Sequence, residues 1–232
     1  MTKNTNKAGQ KNQLSIQQIN SVISLYSEGK IEQAIDEIKE LNERFPNEPT
    51  LFNIIGACYK TLGDLHSAAK MFEIAVKINP KYAEAHFNLG VILKALGRID
   101  QAIRSYQKAI SILPNYPDAY NNIGNIFHEL KRFSEAIDSY EWAIAFRHDF
   151  FQAYNNLGLC LSDFGNSELA VNNFRKAIEI EPNYIDAHFN LGISMKELGK
   201  RRESINSFES VLKIDSTHAK AHRNLSVIKK YT

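Results

Sequence analysis

Asparagine recurs along this chain at a fixed interval of 34 residues. Within a helix, Asn costs several tenths of a kcal/mol relative to Ala, so a regular recurrence needs a cause. The side-chain amide offers two N–H donors and a carbonyl acceptor, which together can bind the C=O and the N–H of an extended peptide. The row consists of Asn20, Asn88, Asn122, Asn156, Asn190 and Asn224. One place in the series holds Ile54 instead, and Asn53 lies beside it.

Groups suited to acid–base or metal chemistry are few. His128 precedes Glu129 and His148 precedes Asp149, but adjacent residues of a helix point in different directions, so we interpret them as surface polar residues. The sequence has no glycine-rich phosphate loop, no His-Glu-x-x-His motif and no Cys-x-x-Cys motif. We therefore predict no catalytic residue, no metal site and no cofactor, and we expect that the chain is not an enzyme.

The elements that position these residues are internal repeats. Glycines spaced 34 apart mark five copies, namely Gly56, Gly90, Gly124, Gly158 and Gly192, and prolines close most copies. In the copy from His86, "HFNLGVILKALGRIDQAIRSYQKAISILP", one apolar stripe ends at Gly97 and a second begins at Ile99. Both stripes have helical spacing, and glycine is the usual residue just after a helix. Each copy therefore predicts two helices joined by a tight turn.

The copies resemble the tetratricopeptide repeat (TPR), a 34-residue helical hairpin with Leu-Gly, a later Ala, an aromatic residue, Ala and a closing Pro. The resemblance covers roughly residues 15–232. It implies an all-α fold, a right-handed superhelix (TPR solenoid) of about six helical hairpins plus a C-terminal capping helix. The predicted boundaries are a polar, disordered tail at 1–14, repeats at 15–48, 49–82, 83–116, 117–150, 151–184 and 185–218, and a cap at 219–232.

The same resemblance implies where a partner binds. In such arrays the first helix of each repeat lines a concave groove, and the array resembles the superhelical repeats of O-linked GlcNAc transferase, where an asparagine ladder holds a peptide. The implied groove residues are Asn20, Asn53, Asn88, Asn121, Asn122, Asn125, Asn155, Asn156, Asn190, Asn224, Phe87, Phe189, Lys94 and Lys196. A second interpretation, in which the amides tie neighbouring helices together, is compatible with the first.

We therefore predict a protein-interaction scaffold whose groove binds an extended peptide or a partner helix. Two alternatives stay open. The chain could be the substrate-targeting arm of a glycosyl- or sulfotransferase-type enzyme, or a scaffold that assembles with its own copies. Nothing in the sequence identifies the partner.

An aromatic cluster stands out in the repeat 117–150. Trp142, the single tryptophan, occupies a place that is mostly polar in the other copies, and Phe146, Phe150 and Phe151 follow it. These four residues predict a second contact surface, for self-association or for a partner. The alternative is that Phe146 and Phe150 are core residues and Trp142 leans over them.

Bulk properties exclude several classes of protein. The chain has 232 residues, of which 44% are hydrophobic and 23% charged, and a net charge of +2, so we expect no nucleic-acid partner. No apolar run approaches the ~20 residues of a membrane span, and the opening residues lack the apolar core of a signal peptide. Cys58 and Cys160 lie in copies far apart, which predicts two small buried hydrophobic residues and no disulfide. These features predict a cytoplasmic protein.

Overall fold

A computed structural model describes residues 14–230 of the chain. Within that range every regular element is an α-helix, and there are thirteen of them. The chain divides into two compact units, Met1–Ile112 and Leu113–Thr232. No described helix is both long enough and apolar enough to cross a membrane.

Unit 1, as we name residues 1–112, contains three helical hairpins. Its helices are α1 Ile16–Ser27, α2 Ile31–Arg44, α3 Pro49–Thr61, α4 Leu65–Ile78, α5 Ala83–Ala95 and α6 Ile99–Ile112. The odd-numbered helix of each pair packs on the even-numbered helix that follows it, and α2 and α4 also pack on the next hairpin. The first helices α1, α3 and α5 contact one another in sequence, so that they form one wall of the unit.

Unit 2, residues 113–232, contains three further hairpins and a single last helix. Its helices are α7 Pro117–Glu129, α8 Phe133–Phe146, α9 Phe151–Asp163, α10 Ser167–Ile180, α11 Ile185–Glu197, α12 Arg201–Ile214 and α13 Ala219–Lys230. As in unit 1, the first helices α7, α9 and α11 contact one another. We call each such set of first helices the first-helix wall of its unit.

Five hairpins close tightly because a glycine of the first helix faces an aromatic ring of the second; the hairpin of α1 and α2 has Val22 at this place. A Cβ atom added to Gly124 would lie 2.7 Å from the ring of Tyr140, and one added to Gly158 would lie 2.6 Å from the ring of Phe174. Both rings are fully buried. The recurring glycine is therefore explained by the close approach of the two helices.

The turn between the helices of a hairpin requires a left-handed residue, usually glycine. Gly97 has φ +73° at this turn, whereas Lys131 takes the same place in unit 2 with φ +58°. At both turns the next residue donates its N–H to a carbonyl five residues earlier, from Arg98 to Leu93 and from Arg132 to Phe127. Lys131 thus adopts the left-handed conformation, which is unfavourable for a residue with a side chain, and the turn keeps the same hydrogen bond.

The last helix covers the final hairpin with one face. Leu225 and Ile228 are buried in a cluster with Phe208 and Val211, whereas Ser226 and Lys229 are exposed. The prediction of an all-α helical repeat fold is confirmed. The predicted disordered tail lies, apart from Leu14, outside the described residues, as do the last two residues of the predicted cap.

Candidate functional site

The first-helix wall of unit 1 contains one pair of linked asparagines. Asn88 on α5 donates its Nδ2 to Oδ1 of Asn53 on α3 at 3.0 Å. Asn53 is buried, and its own Nδ2 donates to the hydroxyl of Tyr82 at 3.3 Å and to a carboxylate oxygen of Glu84 at 3.1 Å. The amide of Asn53 is therefore fully used inside the protein. Asn20, by contrast, lies exposed on α1.

The wall of unit 2 repeats this arrangement twice. Asn156 on α9 donates to Oδ1 of Asn121 on α7 at 3.1 Å, and Asn190 on α11 donates to Oδ1 of Asn155 on α9 at 2.9 Å. Asn156 also donates to Oδ1 of Asn125 at 3.2 Å. Asn121 and Asn155 are both buried. Side-chain amides therefore link three successive first helices.

Each link depends on the residue 35 positions before the donating asparagine, which lies on the first helix of the preceding repeat. Where that residue is Asn, as at 53, 121 and 155, it accepts the bond. Where it is Phe, the ring packs inside its own hairpin instead: Phe87 lies 5.7 Å from Tyr106, and Phe189 lies 5.6 Å from Phe208. The ring of Phe189 also lies 5.3 Å from that of His218.

The remaining predicted groove residues lie on α5, α7, α11 and α13 in other surroundings. Asn224 on α13 lies 35 residues after Phe189, which cannot accept a bond through its side chain. Oδ1 of Asn224 accepts a hydrogen bond from Nζ of Lys196 at 3.2 Å, and its Nδ2 donates to the carbonyl of Lys220 at 3.0 Å. Asn122 on α7 and Lys94 on α5 are half-buried. The structure therefore brings together subsets of the predicted groove residues within each unit.

The three asparagines that donate in these links accept no hydrogen bond at their own Oδ1 within the described part of the chain. The side chains of Asn88, Asn156 and Asn190 turn their N–H₂ groups toward the preceding helix, and among the described residues their Oδ1 atoms accept no hydrogen bond. All three residues are half-buried rather than enclosed. The amides therefore tie helices together and also present carbonyl acceptors with a fixed orientation.

One charged group of unit 2 near this row, Asp118, has a partner of opposite charge. Asp118, at the start of α7, forms an ion pair with Arg147, and one of its oxygens lies 3.2 Å from a guanidinium nitrogen. Arg147 also lies over the ring of Phe150, with 4.4 Å between its guanidinium carbon and the ring centroid. The charge of Asp118 is therefore compensated within the hairpin of α7 and α8.

A second candidate surface lies on the repeat that contains Trp142. The rings of Trp142 and Phe146 on α8 and of Tyr120 on α7 stack on one another, with centroids 5.6–6.3 Å apart. Trp142 is 54% exposed and Phe146 is 40% exposed, so the interpretation of Phe146 as a core residue is wrong. We name Tyr120, Trp142 and Phe146 the aromatic cluster.

Two members of the predicted second surface do not belong to it. Phe150 is buried against Ala143 and Ala153, because it precedes α9 and fills the space between that helix and α8. Phe151 packs edge-on against Tyr184, with 4.9 Å between the centroids. The sequence analysis missed Tyr120, since it lies on the other helix of the hairpin.

The two cysteines are buried, and His128 is paired with a carboxylate. Cys58 and Cys160 are both free and buried, as predicted, and burial raises the pKa of each thiol to about 11. His128, expected to be a surface polar residue, is only partly exposed and bonds to Asp163, with 2.8 Å between Nε2 and Oδ2. Among the described residues, no group of three or more His, Cys, Asp or Glu side chains could hold a metal ion.

The fold and the linked first helices define a helical repeat protein built from 34-residue hairpins. Residues 56–97, 92–131 and 163–199 match the family described as "TPR repeat", and residues 117–150 and 186–217 match families described as "Tetratricopeptide repeat". The chain belongs to the tetratricopeptide repeat family. A search among curated proteins finds no matching sequence.

Solved structures of TPR proteins resemble this chain. A crystal structure of MamA has 28% identity and a TM-score of 0.66, covering 72% of this chain and 97% of that one. YrrB, described as a TPR protein with an unusual peptide-binding site, has 17% identity and a TM-score of 0.66 over 81% of this chain and 96% of its own. The C-terminal part of a TPR repeat-containing protein from Cytophaga hutchinsonii has 21% identity and a TM-score of 0.74, with 92% and 85% covered.

Proposed function

We propose that this chain is a protein-interaction scaffold whose first-helix walls bind an extended peptide mainly through the peptide's backbone. Membership of the TPR family supports the scaffold role. The observation that carries the finer proposal is the orientation of Asn88, Asn156 and Asn190, which direct N–H₂ to a neighbouring helix and leave Oδ1 unused among the described residues.

An unused carbonyl acceptor is suited to the backbone N–H of a bound peptide. Neighbouring packed helices lie ~10 Å apart, and an extended chain rises ~3.3 Å per residue. A peptide that crosses α9 and α11 would therefore advance by roughly three residues between Asn156 and Asn190. Because the backbone N–H groups of an extended chain alternate between its two edges, the two N–H groups that face these side chains would lie about two or four residues apart. Because every residue except proline carries this N–H, the wall would accept many sequences.

The test begins with a peptide selected from a display library on the full chain. Each backbone N–H of that peptide is then methylated in turn, which removes one donor and leaves the side chains unchanged. We expect two positions that lie about two or four residues apart to lose roughly tenfold in affinity or more, since a hydrogen bond contributes about 1 kcal/mol and its loss leaves a desolvated acceptor. Uniform tolerance of methylation would exclude recognition through the backbone.

A second measurement locates the binding site. In an ¹⁵N-labelled chain, the side-chain amide resonances of Asn156 and Asn190 should shift when the peptide binds. Asn172, exposed on α10 outside the first-helix wall, serves as the matched control and should not shift. Shifts confined to other residues would move the binding site away from the wall.

A further inference from the structure

Two of the three rings of the aromatic cluster, those of Trp142 and Phe146, remain exposed on the folded hairpin. The three rings are nearly parallel, with interplanar angles of 21–29°. A linear column would place the outer two rings at twice the spacing of neighbours, but Tyr120 and Trp142 lie only 6.3 Å apart. The three rings therefore form a triangular cluster, which offers a broader aromatic face than a column does.

Two carboxylates lie on α8 near the aromatic cluster. Asp138 lies one helical turn before Trp142 on the same side of the helix, and Glu141 lies three residues after Asp138, so that its side chain neighbours that of Asp138. Both are exposed, and within the described residues neither forms an ion pair. The two arginines adjoining α8 are occupied, because Arg132 pairs with Glu135 and Arg147 pairs with Asp118.

The fold does not need these aromatic residues at their places. The equivalents of Trp142 in the copies before and after it are Lys108 and Lys176. Isoleucine holds the place of Phe146 in four other copies, at Ile78, Ile112, Ile180 and Ile214. This repeat therefore exposes more aromatic surface at these two places than the other copies do. Such an exposed apolar patch typically marks a contact surface.

We propose that the aromatic cluster binds an arginine-bearing segment of a partner protein. A guanidinium group stacks on the faces of Trp and Tyr and is attracted by their π-electrons, and nearby carboxylates add charge complementarity. Lysine is more strongly hydrated and lacks the planar group, so it fits this surface less well. Two copies of this chain placed face to face would bring Asp138 and Glu141 against carboxylates of the same sign, which disfavours self-association through the cluster.

The test uses a fluorescein-labelled hexa-arginine peptide and the full chain, with fluorescence anisotropy as the readout. Trp142→Lys removes the main ring and installs the residue that Lys108 and Lys176 already represent. Ser210→Lys is the matched control, because it adds the same charge at the equivalent place of the repeat 185–218 and leaves the cluster intact. We expect Trp142→Lys to weaken binding about tenfold and Ser210→Lys to change it less than about twofold, as loss of a stacked cation–π contact requires.

Two further measurements separate the cluster from general electrostatic attraction. Hexa-lysine should bind the wild-type chain more weakly than hexa-arginine, and saturating hexa-arginine should shift the emission of Trp142, the only tryptophan. Phe146→Ile, which copies the residue of other repeats, should also weaken binding. Circular dichroism verifies that each variant remains helical.

Three results would overturn the proposal. One is an equal loss of affinity in Trp142→Lys and Ser210→Lys, and another is equal affinity for hexa-lysine and hexa-arginine. The third is concentration-dependent association of the wild type in light scattering that Trp142→Lys abolishes, since the occupant would then be a second copy. The peptide-binding wall is unaffected by these outcomes, because none of the variants alters it.

Discussion

Asn156 donates a hydrogen bond from its side-chain amide to the buried carbonyl oxygen of Asn121, which lies 35 residues earlier on the neighbouring first helix, at 3.1 Å. The same N–H₂ group bonds to Asn125, whose Oδ1 also accepts from the hydroxyl of Tyr140 at 2.8 Å. One asparagine of the row thus connects two hairpins. Its contribution to stability follows from the buried acceptor that its removal would leave unpaired.

Replacing Asn156 with Ala should lower the free energy of unfolding by about 1–3 kcal/mol, because the carbonyl of Asn121 stays buried without its donor. The better helix propensity of Ala, worth several tenths of a kcal/mol, offsets only part of that loss. Urea denaturation followed by circular dichroism measures the difference.

Asn172→Ala is the control for this substitution. Asn172 is exposed on α10, so its replacement should leave stability unchanged or raise it slightly. If Asn156→Ala behaved in the same way, the amide links would not stabilise the fold.

Gly158→Ala should destabilise the chain by about 1–3 kcal/mol, since overpacking a closed core forces side chains or backbone to move. The added Cβ would meet the ring of Phe174 at 2.6 Å. The double variant with Phe174→Leu removes the ring that the methyl group meets. Thermal unfolding of the two single variants and the double variant should therefore show a combined loss smaller than the sum. Simple additivity would mean that the two residues do not interact.

The hairpins could be predicted from the sequence because their determinants are local. The spacing of Gly90 and Gly124, each opposite an aromatic ring in the second helix, is visible in a single copy and repeats in the next. The residue types therefore indicated helix, turn and helix without knowledge of the tertiary arrangement. The structure confirms this part of the fold.

The partners of the asparagine row could not be predicted in the same way. The bond from Asn190 to Asn155 joins two different repeats, and it depends on how the hairpins are offset against each other. That offset results from packing summed over many side chains. Likewise, Phe146 stands where other copies have Ile, which favoured a core interpretation, but this place is only partly buried in the other copies as well, and Ile214 is 37% exposed there.

Lys131→Gly should stabilise the protein by about 0.5–1 kcal/mol. A left-handed conformation costs an ordinary residue about 1–2 kcal/mol, and the greater flexibility of glycine in the unfolded chain cancels part of the gain. The reciprocal variant is Gly97→Lys at the equivalent turn, where no atom lies within 4 Å of the added Cβ and φ is +73°. It should lose a similar amount in urea denaturation. A loss of stability in Lys131→Gly would show that the lysine side chain has a role of its own.

Cys58 and Cys160 should resist thiol reagents in the folded chain. Both are fully buried, and burial raises their pKa to about 11, so very little thiolate exists at pH 8. Reaction with a disulfide reagent such as DTNB should be at least about a hundredfold slower than in urea, where an ordinary cysteine has a pKa near 8.5. The pKa of each thiol is higher in the folded chain than in the unfolded chain, so the protonated thiols favour the folded state. This contribution to the free energy of unfolding is complete below about pH 8.5 and is lost as the pH rises toward 11.

Ser226→Cys provides the matched control for this measurement. Ser226 is exposed on α13, so one thiol of that variant should react rapidly while Cys58 and Cys160 remain protected. Rapid reaction of all three thiols in the folded protein would mean that the hairpins of Cys58 and Cys160 open often enough to expose their cores. Slow reaction of one thiol and fast reaction of the other would assign that opening to a single hairpin.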